Sequence, residues 1–298
     1  MTRPLLIVGD VQGDAERLDQ ALQPYPDSDV DTVFLGDFFQ GGPPGEGGGA
    51  AAARIARGRA NAQSVLGNHD LMLLCVLEEV RTGWTPPTVA DLGKRSLAEI
   101  WLWRRGDWAD LRAVADDPDL EAWLRSLPLM LRLPDGTLVQ HCDDDAYARL
   151  GAGVDEVNAA ARRLLAQPRG AWEVFWYTVG RRTFRDAARL DTHLDHFGAK
   201  RMVHGHTPHH QDRPTPSHDG RAASYRCTSC GSIAVDLWAA AREMRHDREA
   251  NPPTLTCPAC ATLMLPPIDD PLATTVECPV CGQQFAIEEG MPHLHGGG

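Results

Sequence analysis

The sequence has no surplus of basic side chains and no long apolar run. Acidic residues outnumber basic ones by 41 to 29, leaving a formal net charge of −12. That balance excludes a broad cationic face for nucleic-acid backbones or anionic lipid, while a local basic patch stays open. Leu71 to Leu77 is the longest purely apolar stretch, far short of the roughly 20 residues that cross a bilayer, so no membrane partner is expected. Only Leu5 to Gly9 precede Asp10 as an apolar opening, which is too short for a secretory signal. A cytoplasmic protein is therefore the expectation. No internal repeat is visible apart from spaced cysteine pairs. What is present suffices for a sizeable core: 43% hydrophobic residues in a chain of 298 exclude general disorder and fit one large domain or two unequal ones.

Short apolar runs alternate with helical patterns through the first two-thirds. Leu5–Val8, Thr32–Leu35, Ser64–Leu66, Thr137–Gln140 and Arg201–Val203 read as buried strands. Helical spacing falls near Asp14–Leu22, Ala50–Ala62, Leu71–Val80, Asp119–Leu127, Val154–Leu165 and Asp186–Phe197. Such alternation predicts an α/β layered domain. The glycine-rich Gly41–Gly49 reads as a surface loop. His209–Gly220, polar and proline-rich, reads as a linker or a loop reaching past the site, and Asp236–Glu249 as a charged helix. Between Thr82 and Asp117 lies an insert with Trp84, Trp101, Trp103 and Trp108, whose density favours packing, with stacking on a base as the alternative.

Ligand-type residues follow each predicted strand: Asp10 and Gln12 after the first, Asp37 after the second, Asn68-His69-Asp70 after the third, His141 after the fourth, and His204 and His206 at the end of the fifth. In α/β sheets the carboxyl ends of strands line the crevice where ligands bind. Two carboxylates, an amide and imidazoles suit borderline divalent ions such as Mn, Fe or Zn. A carboxylate such as Asp37 has two oxygens and can bridge two ions, and such a pair suits in-line displacement at phosphorus. Taken singly, a Gly-Asp is usually a turn and a strand-end histidine a core residue. Five in order argue for a site.

The stretches GDVQG, GDFFQGG, GNHDLMLL, VQHC and VHGHTP resemble those of the calcineurin-like metallophosphoesterases, in the branch with phosphoprotein phosphatases and symmetrical diadenosine tetraphosphate hydrolases. The resemblance implies a four-layer α-β-β-α sandwich with metals at one edge. It also implies Asp10 on a first metal, Asp37 bridging, and Asn68, His141 and His206 on a second. His69, paired with Asp70, would be the acid that protonates the leaving oxygen. Two positions depart from the pattern. Gln12 stands where the family usually has histidine, and Gly41 replaces a phosphate-clamping arginine, whose charge Arg181 or Arg182 could supply, a solvated helix end being the other reading of that pair.

Six cysteines form three C-x-x-C pairs. Cys257/Cys260 and Cys278/Cys281 are spaced as in a two-knuckle zinc ribbon. Cys227/Cys230 could bind a further metal, with Cys257/Cys260, His218 or His246 as partners. The expected organisation is a phosphoesterase domain over 1–222, a cysteine-rich zinc-ribbon region over 223–290 and a disordered tail over 291–298. The expected activity is dinuclear-metal hydrolysis of a small-molecule phosphomonoester or phosphoanhydride, or of a phosphoprotein. The rival is an impaired scaffold that binds nucleic acid or protein through its ribbon.

Overall fold

The computed structural model describes residues 3–41, 45–91, 93–178 and 183–207, with short segments at 215–217, 221–224, 255–256, 259, 263–264, 275–278 and 283–286. Arg181, Arg182, Cys227, Cys230, Cys257, Cys260 and Cys281, the expected helix 236–249 and the expected tail 291–298 lie outside the described residues.

The chain alternates as its hydrophobic pattern predicts: β1 (Leu5–Val8), α1 (Ala15–Leu22), β2 (Asp31–Phe34), α2 (Gly48–Gly58), β3 (Ala62–Ser64) and α3 (Asn68–Thr82). The insert forms α4 (Thr88–Asp91), α5 (Leu97–Trp103) and α6 (Trp108–Ala115), followed by α7 (Pro118–Ser126). Next come β4 (Met130–Arg132), β5 (Leu138–Gln140), α8 (Val154–Leu165), α9 (Gly170–Phe175), α10 (Ala187–His196) and β6 (Met202–His204). A hairpin of β7 (Thr215–Ser217) and β8 (Ala222–Ser224) follows. Part of the expected proline-rich linker is thus a strand, with backbone bonds to β8 that a free linker would lack.

β1, β2 and β3 form a parallel sheet in that order, and a second, mixed sheet runs β4-β5-β6-β8-β7. Side chains of a strand point alternately to opposite faces, and the sequence uses both. Ile7, Val33, Leu35, Val65, Leu133, Val139 and Val203 form one buried cluster between the two sheets. Leu6, Val8, Phe34, Leu138 and Met202 instead join the larger cluster that contains the helical Leu18, Ala52, Leu71, Val157 and Leu190. Helices therefore cover the outer faces of a pair of packed sheets. α3 is buried on nearly every side from Leu71 to Glu79, with α5, α6 and α9 packed around it.

The expected loop Gly41–Gly49 is shorter than its composition implies, because Gly48 and Gly49 begin α2. Packing explains this. A Cβ on Gly49 would meet Asp110 Oδ2 and Phe39 Cδ1, each at 2.6 Å, so the missing side chain is what lets the helix start there. Further along the chain, β9 (Leu255–Thr256) pairs antiparallel with β10 (Leu263–Met264), and β11 (Thr275–Glu277) with β12 (Gln284–Ala286). Among the described residues no helix is long and apolar enough to cross a membrane.

One buried imidazole braces the β5 exit. His193 Nε2 and Gln140 Oε1 are 2.8 Å apart, while Gln140 Nε2 donates to the carbonyls of Cys142 (2.6 Å) and Asp144 (2.9 Å). Burial lowers His193 to about 4, against the attraction of Asp145 and with a smaller push from His196. The unfolded chain takes up this proton near pH 6.5, so the contribution is full above that value and is lost as pH falls toward 4. Urea unfolding should show His193 accounting for about 2 kcal/mol of the stability lost between pH 7.5 and pH 5. His193→Gln should flatten that part of the profile.

Candidate functional site

The strands of the two sheets end toward one crevice, and the loops there are bonded to one another. The amides of Val11 and Gln12 donate to the Asp37 carbonyl at 3.1 and 2.9 Å, and Gly13 donates to Phe38 O at 2.8 Å. The buried Asp70 carboxylate accepts from the amides of Asp37 (2.9 Å), Phe38 (2.8 Å) and Gly67 (2.9 Å). Those three bonds fix the second strand's exit against the start of α3. Burial, followed by the neighbouring Asp37 charge, pushes Asp70 up to about 7, against the pull of the amides.

Asp37 lies at the centre, 1% exposed. One oxygen accepts the His69 amide at 2.8 Å, and the other lies 3.2 Å from His141 Nε2 and 3.6 Å from His69 Nδ1. Burial would raise this carboxyl, yet His141, His69 and His206 together hold it well below the usual carboxylate range. His141 Nδ1 meets the Leu35 carbonyl at 2.6 Å, which turns Nε2 toward Asp37 and toward Asn68 Oδ1 at 3.0 Å. His206 Nδ1 reaches the same Asn68 oxygen at 2.7 Å, and its amide donates to Asp10 Oδ1 at 3.1 Å. Ligand atoms of Asp10, Asp37 and His141 all lie within 4.8 Å of one another, as do those of His141, Cys142 and His206.

Oxygen acceptors thus crowd around His141 Nε2. Asp37 raises His141 to about 10 against the opposition of burial, and the same attraction draws positive charge to Nε2, a proton or, in its place, a divalent ion. Burial and the adjacent His141 lower His206 to about 3, which keeps that ring neutral, the form in which imidazole binds metal. Carboxylates, an amide oxygen and imidazoles facing one point are the donor set of a borderline divalent ion. The backbone is also strained at this place. Gln12 (φ 53°), Asp37 (54°), Gln40 (65°) and His206 (61°) are four of the six non-glycine residues with positive φ among those described, and such strain concentrates at functional sites. Gly67 and Gly205 carry no side chain where a Cβ would overlap the Asp37 and Asp10 carboxylates, respectively.

Asp10, Asp37, Asn68, His141 and His206 are therefore together, with His69 beside them. Gln12 and His69 line an adjoining cavity of about 420 Å³ with Gln40, Gly41, Trp103, Arg104 and Arg105. The expected pairing of His69 with Asp70 is absent. Both Asp70 oxygens face backbone amides, and the carboxylate nearest the His69 ring belongs to Asp37. Asp70 holds the backbone of the second strand's exit against the start of α3. Gln40, Arg104 and Arg105 were missed by sequence reasoning, whereas Trp103 is among the tryptophans for which stacking on a base is the alternative reading. Cys142, directly after His141, is fully buried in the larger apolar cluster, its thiol 2.8 Å from the Thr178 carbonyl.

A sequence profile described as calcineurin-like phosphoesterase matches residues 3–210. The chain belongs to that family. The phosphoesterase is accordingly a metal-dependent hydrolase. Its fold is similar to that of a cold-active protein-tyrosine phosphatase from a psychrophilic Shewanella species, with 18% identity and a TM-score of 0.52 over 80% of this chain and 73% of that one. Weaker similarities run to a protein serine/threonine phosphatase from Saccharomyces cerevisiae (14% identity, TM-score 0.41, 77% and 69% covered) and to a candidate diadenosine tetraphosphatase (27%, 0.30, 48% and 53%). The phosphoesterase has no significant match among curated proteins.

Because three amides converge on Asp70, an amide side chain there would set donor against donor. Asp70→Asn should destabilise the protein by about 2 kcal/mol or more, read as a lower midpoint in thermal or urea unfolding. An unchanged midpoint would contradict the positioning role.

Proposed function

We propose that this phosphoesterase hydrolyses phosphomonoesters or phosphoanhydrides with two divalent ions, Mn, Fe or Zn, held by Asp10, Gln12, Asp37, Asn68, His141 and His206. The observation that carries the reading is the enclosure of the Asp37 carboxylate by imidazoles, with Asp10 and Asn68 at the same point. A bound pair of divalent ions supplies Lewis acidity toward phosphoryl oxygens and lowers the pKa of water. The protein's own groups do the rest. Asp37 offers oxygens on both sides of the cluster. The Leu35 carbonyl and Asn68 orient the two rings, and outer contacts of this kind sharpen metal affinity. His69, 29% exposed at its side chain and open to the cavity, stands where it can give a proton to the departing oxygen. The substrate is a small-molecule phosphate or a phosphoprotein side chain in the cytoplasm. Arg181 and Arg182 stay proposed phosphate ligands from the sequence alone.

The phosphoesterase unit is proposed to run from the N-terminus to about β8, whose last residue, Ser224, pairs with β7 and lies just past the expected boundary at 222. For the region beyond it we keep the zinc-ribbon reading. Its support is that the last two C-x-x-C pairs each stand, in sequence, between the two strands of an antiparallel hairpin, Cys257/Cys260 between β9 and β10 and Cys278/Cys281 between β11 and β12. Cys278 is buried, its amide donating to Gln283 O at 2.9 Å.

With Mn²⁺ added, the purified protein should turn over p-nitrophenyl phosphate or diadenosine tetraphosphate. Asp37→Ala should abolish this, and His69→Ala should lower kcat by about 10²–10⁴. No metal-dependent turnover, or undiminished rates in both variants, would defeat the reading. Elemental analysis should separately find about one zinc per chain that survives Asp37→Ala and disappears in a Cys257→Ser/Cys278→Ser variant.

A further inference from the structure

Part of the wall of the cavity beside the proposed metal ligands comes from the tip of the insert. α5 ends at Trp103, and Trp103, Arg104 and Arg105 face the same 420 Å³ space as Gln12, Gln40 and His69. That volume lies in the range of small-molecule sites. Trp103 is 65% exposed, whereas Trp101 and Trp108 in the same insert are buried at 0% and 4%. A large indole left in water beside a cavity is unusual for a packing residue. Cations gather around it: Lys94 Nζ lies 5.3 Å and the Arg104 guanidinium 5.0 Å from the ring centroid. In a chain of net charge −12, this gathers positive charge beside the cavity, with Glu99 3.5 Å from Lys94 Nζ.

This part of the wall is built rigidly. The amides of Arg104, Arg105 and Gly106 donate to the carbonyls of Ile100 (2.9 Å), Leu102 (2.9 Å) and Trp101 (2.7 Å). Gly106 lies so close to the Trp101 indole that a Cβ would overlap the ring, and Arg105 takes a left-handed backbone, φ 72°. Three carboxylates fasten the insert. Glu79 accepts from the Leu97 and Ala98 amides at 2.9 and 3.0 Å, Asp107 Oδ2 from Gly45 and Gly47 at 3.0 and 3.2 Å, and Asp110 from Ala50 at 2.8 Å.

We propose that Trp103, Arg104 and Arg105 form a substrate-recognition subsite for a nucleoside polyphosphate, with the base on the Trp103 indole and the non-reacting phosphates on the two guanidinium groups. The inference rests on the phosphoesterase reading of the adjoining cluster. An aromatic phosphomonoester, phosphotyrosine included, brings a ring but spends its one phosphate at the reacting centre, leaving nothing for Arg104 and Arg105. Inorganic polyphosphate brings the charge without a ring. A nucleoside polyphosphate supplies both. Guanidinium groups bind phosphate through charge-assisted hydrogen bonds, and an exposed indole stacks on any base.

The test compares ATP, tripolyphosphate and p-nitrophenyl phosphate with Mn²⁺, and adds quenching of tryptophan emission by ATP without added metal. Trp103→Ala should lower the ratio of kcat/KM for ATP over tripolyphosphate by about tenfold and remove part of the quenching. Arg104→Gln and Arg105→Gln should each raise KM for ATP and tripolyphosphate several-fold relative to p-nitrophenyl phosphate. The exposed Arg104 guards against a folding defect at half-buried Arg105. Unchanged ratios and quenching in all three variants would overturn the subsite while leaving the phosphoesterase standing. A Trp103→Ala loss confined to p-nitrophenyl phosphate would overturn the nucleotide assignment. If the wild type turned over none of the three, the phosphoesterase reading would fall, and quenching alone would then decide the subsite.

Discussion

Two carboxylates buried side by side, Asp37 and Asp70, set the terms for the rest of the crevice. Like charges in a poorly solvated place repel strongly, and each must be compensated or neutralised. The protein answers differently for each. Asp37 is surrounded by imidazoles, whereas Asp70 is given backbone amides alone. Because one of those amides belongs to Asp37 itself, the two answers are linked. The same logic recurs around the cluster: the His69 amide serves Asp37, the His206 amide serves Asp10, and the Leu35 carbonyl serves His141. Asp10, Asp37, Asp70 and His141 thus each use a side chain to hold the backbone of another strand end, so that moving one of these loops uncovers a polar group on its neighbour.

The paired sheets make this mutual support attainable. Ile7 and Val33 on one sheet and Val139 and Val203 on the other occupy a single apolar layer, which fixes how far the strands reach before their loops begin. From there the approach is close enough to forbid side chains. A Cβ on Gly36 would meet the Gly67 amide nitrogen at 2.6 Å, so the loops after β2 and β3 touch backbone to backbone. The positive φ values at Gln12, Asp37 and His206 are the cost of turning ligand-type residues inward at such short range, and the bonds that converge on them hold those conformations in place.

Much of this was legible in the sequence because period and chemistry coincided. Leu5–Val8 and Thr32–Leu35 announce strands by apolar runs, and Asp10 and Asp37 follow them directly. The convergence itself could be expected from strand order. The partner of Asp70 could not. A carboxylate after a histidine suggests a side-chain pair, while its actual partners are backbone amides from residues as far back as Asp37, and amides leave no mark in sequence. The start of α2 was hidden for a similar reason, since Gly48 and Gly49 read as loop until Asp110 and Phe39 are seen pressing on them. The insert hid its exposed indole among buried ones. Trp101 and Trp103 differ only in which side of a short helix they occupy.

The departures from the family pattern fall on the cavity side of the site. Gln12 and Gly41 both line the cavity, and they constrain each other: Gly41 has φ 124°, and a Cβ there would meet the Gln12 carbonyl oxygen at 2.9 Å. An arginine cannot be restored at this position without moving the loop that carries Gln12. Across the same space stand Arg104 and Arg105, fixed by an insert whose Asp107 binds the amides of Gly45 and Gly47 just beyond Gly41. Gly45 and Gly47 are therefore held by the insert, and the insert carries the guanidinium groups of the cavity. Arginine at residue 41 would have to share the cavity with Arg104 and Arg105 and face their repulsion.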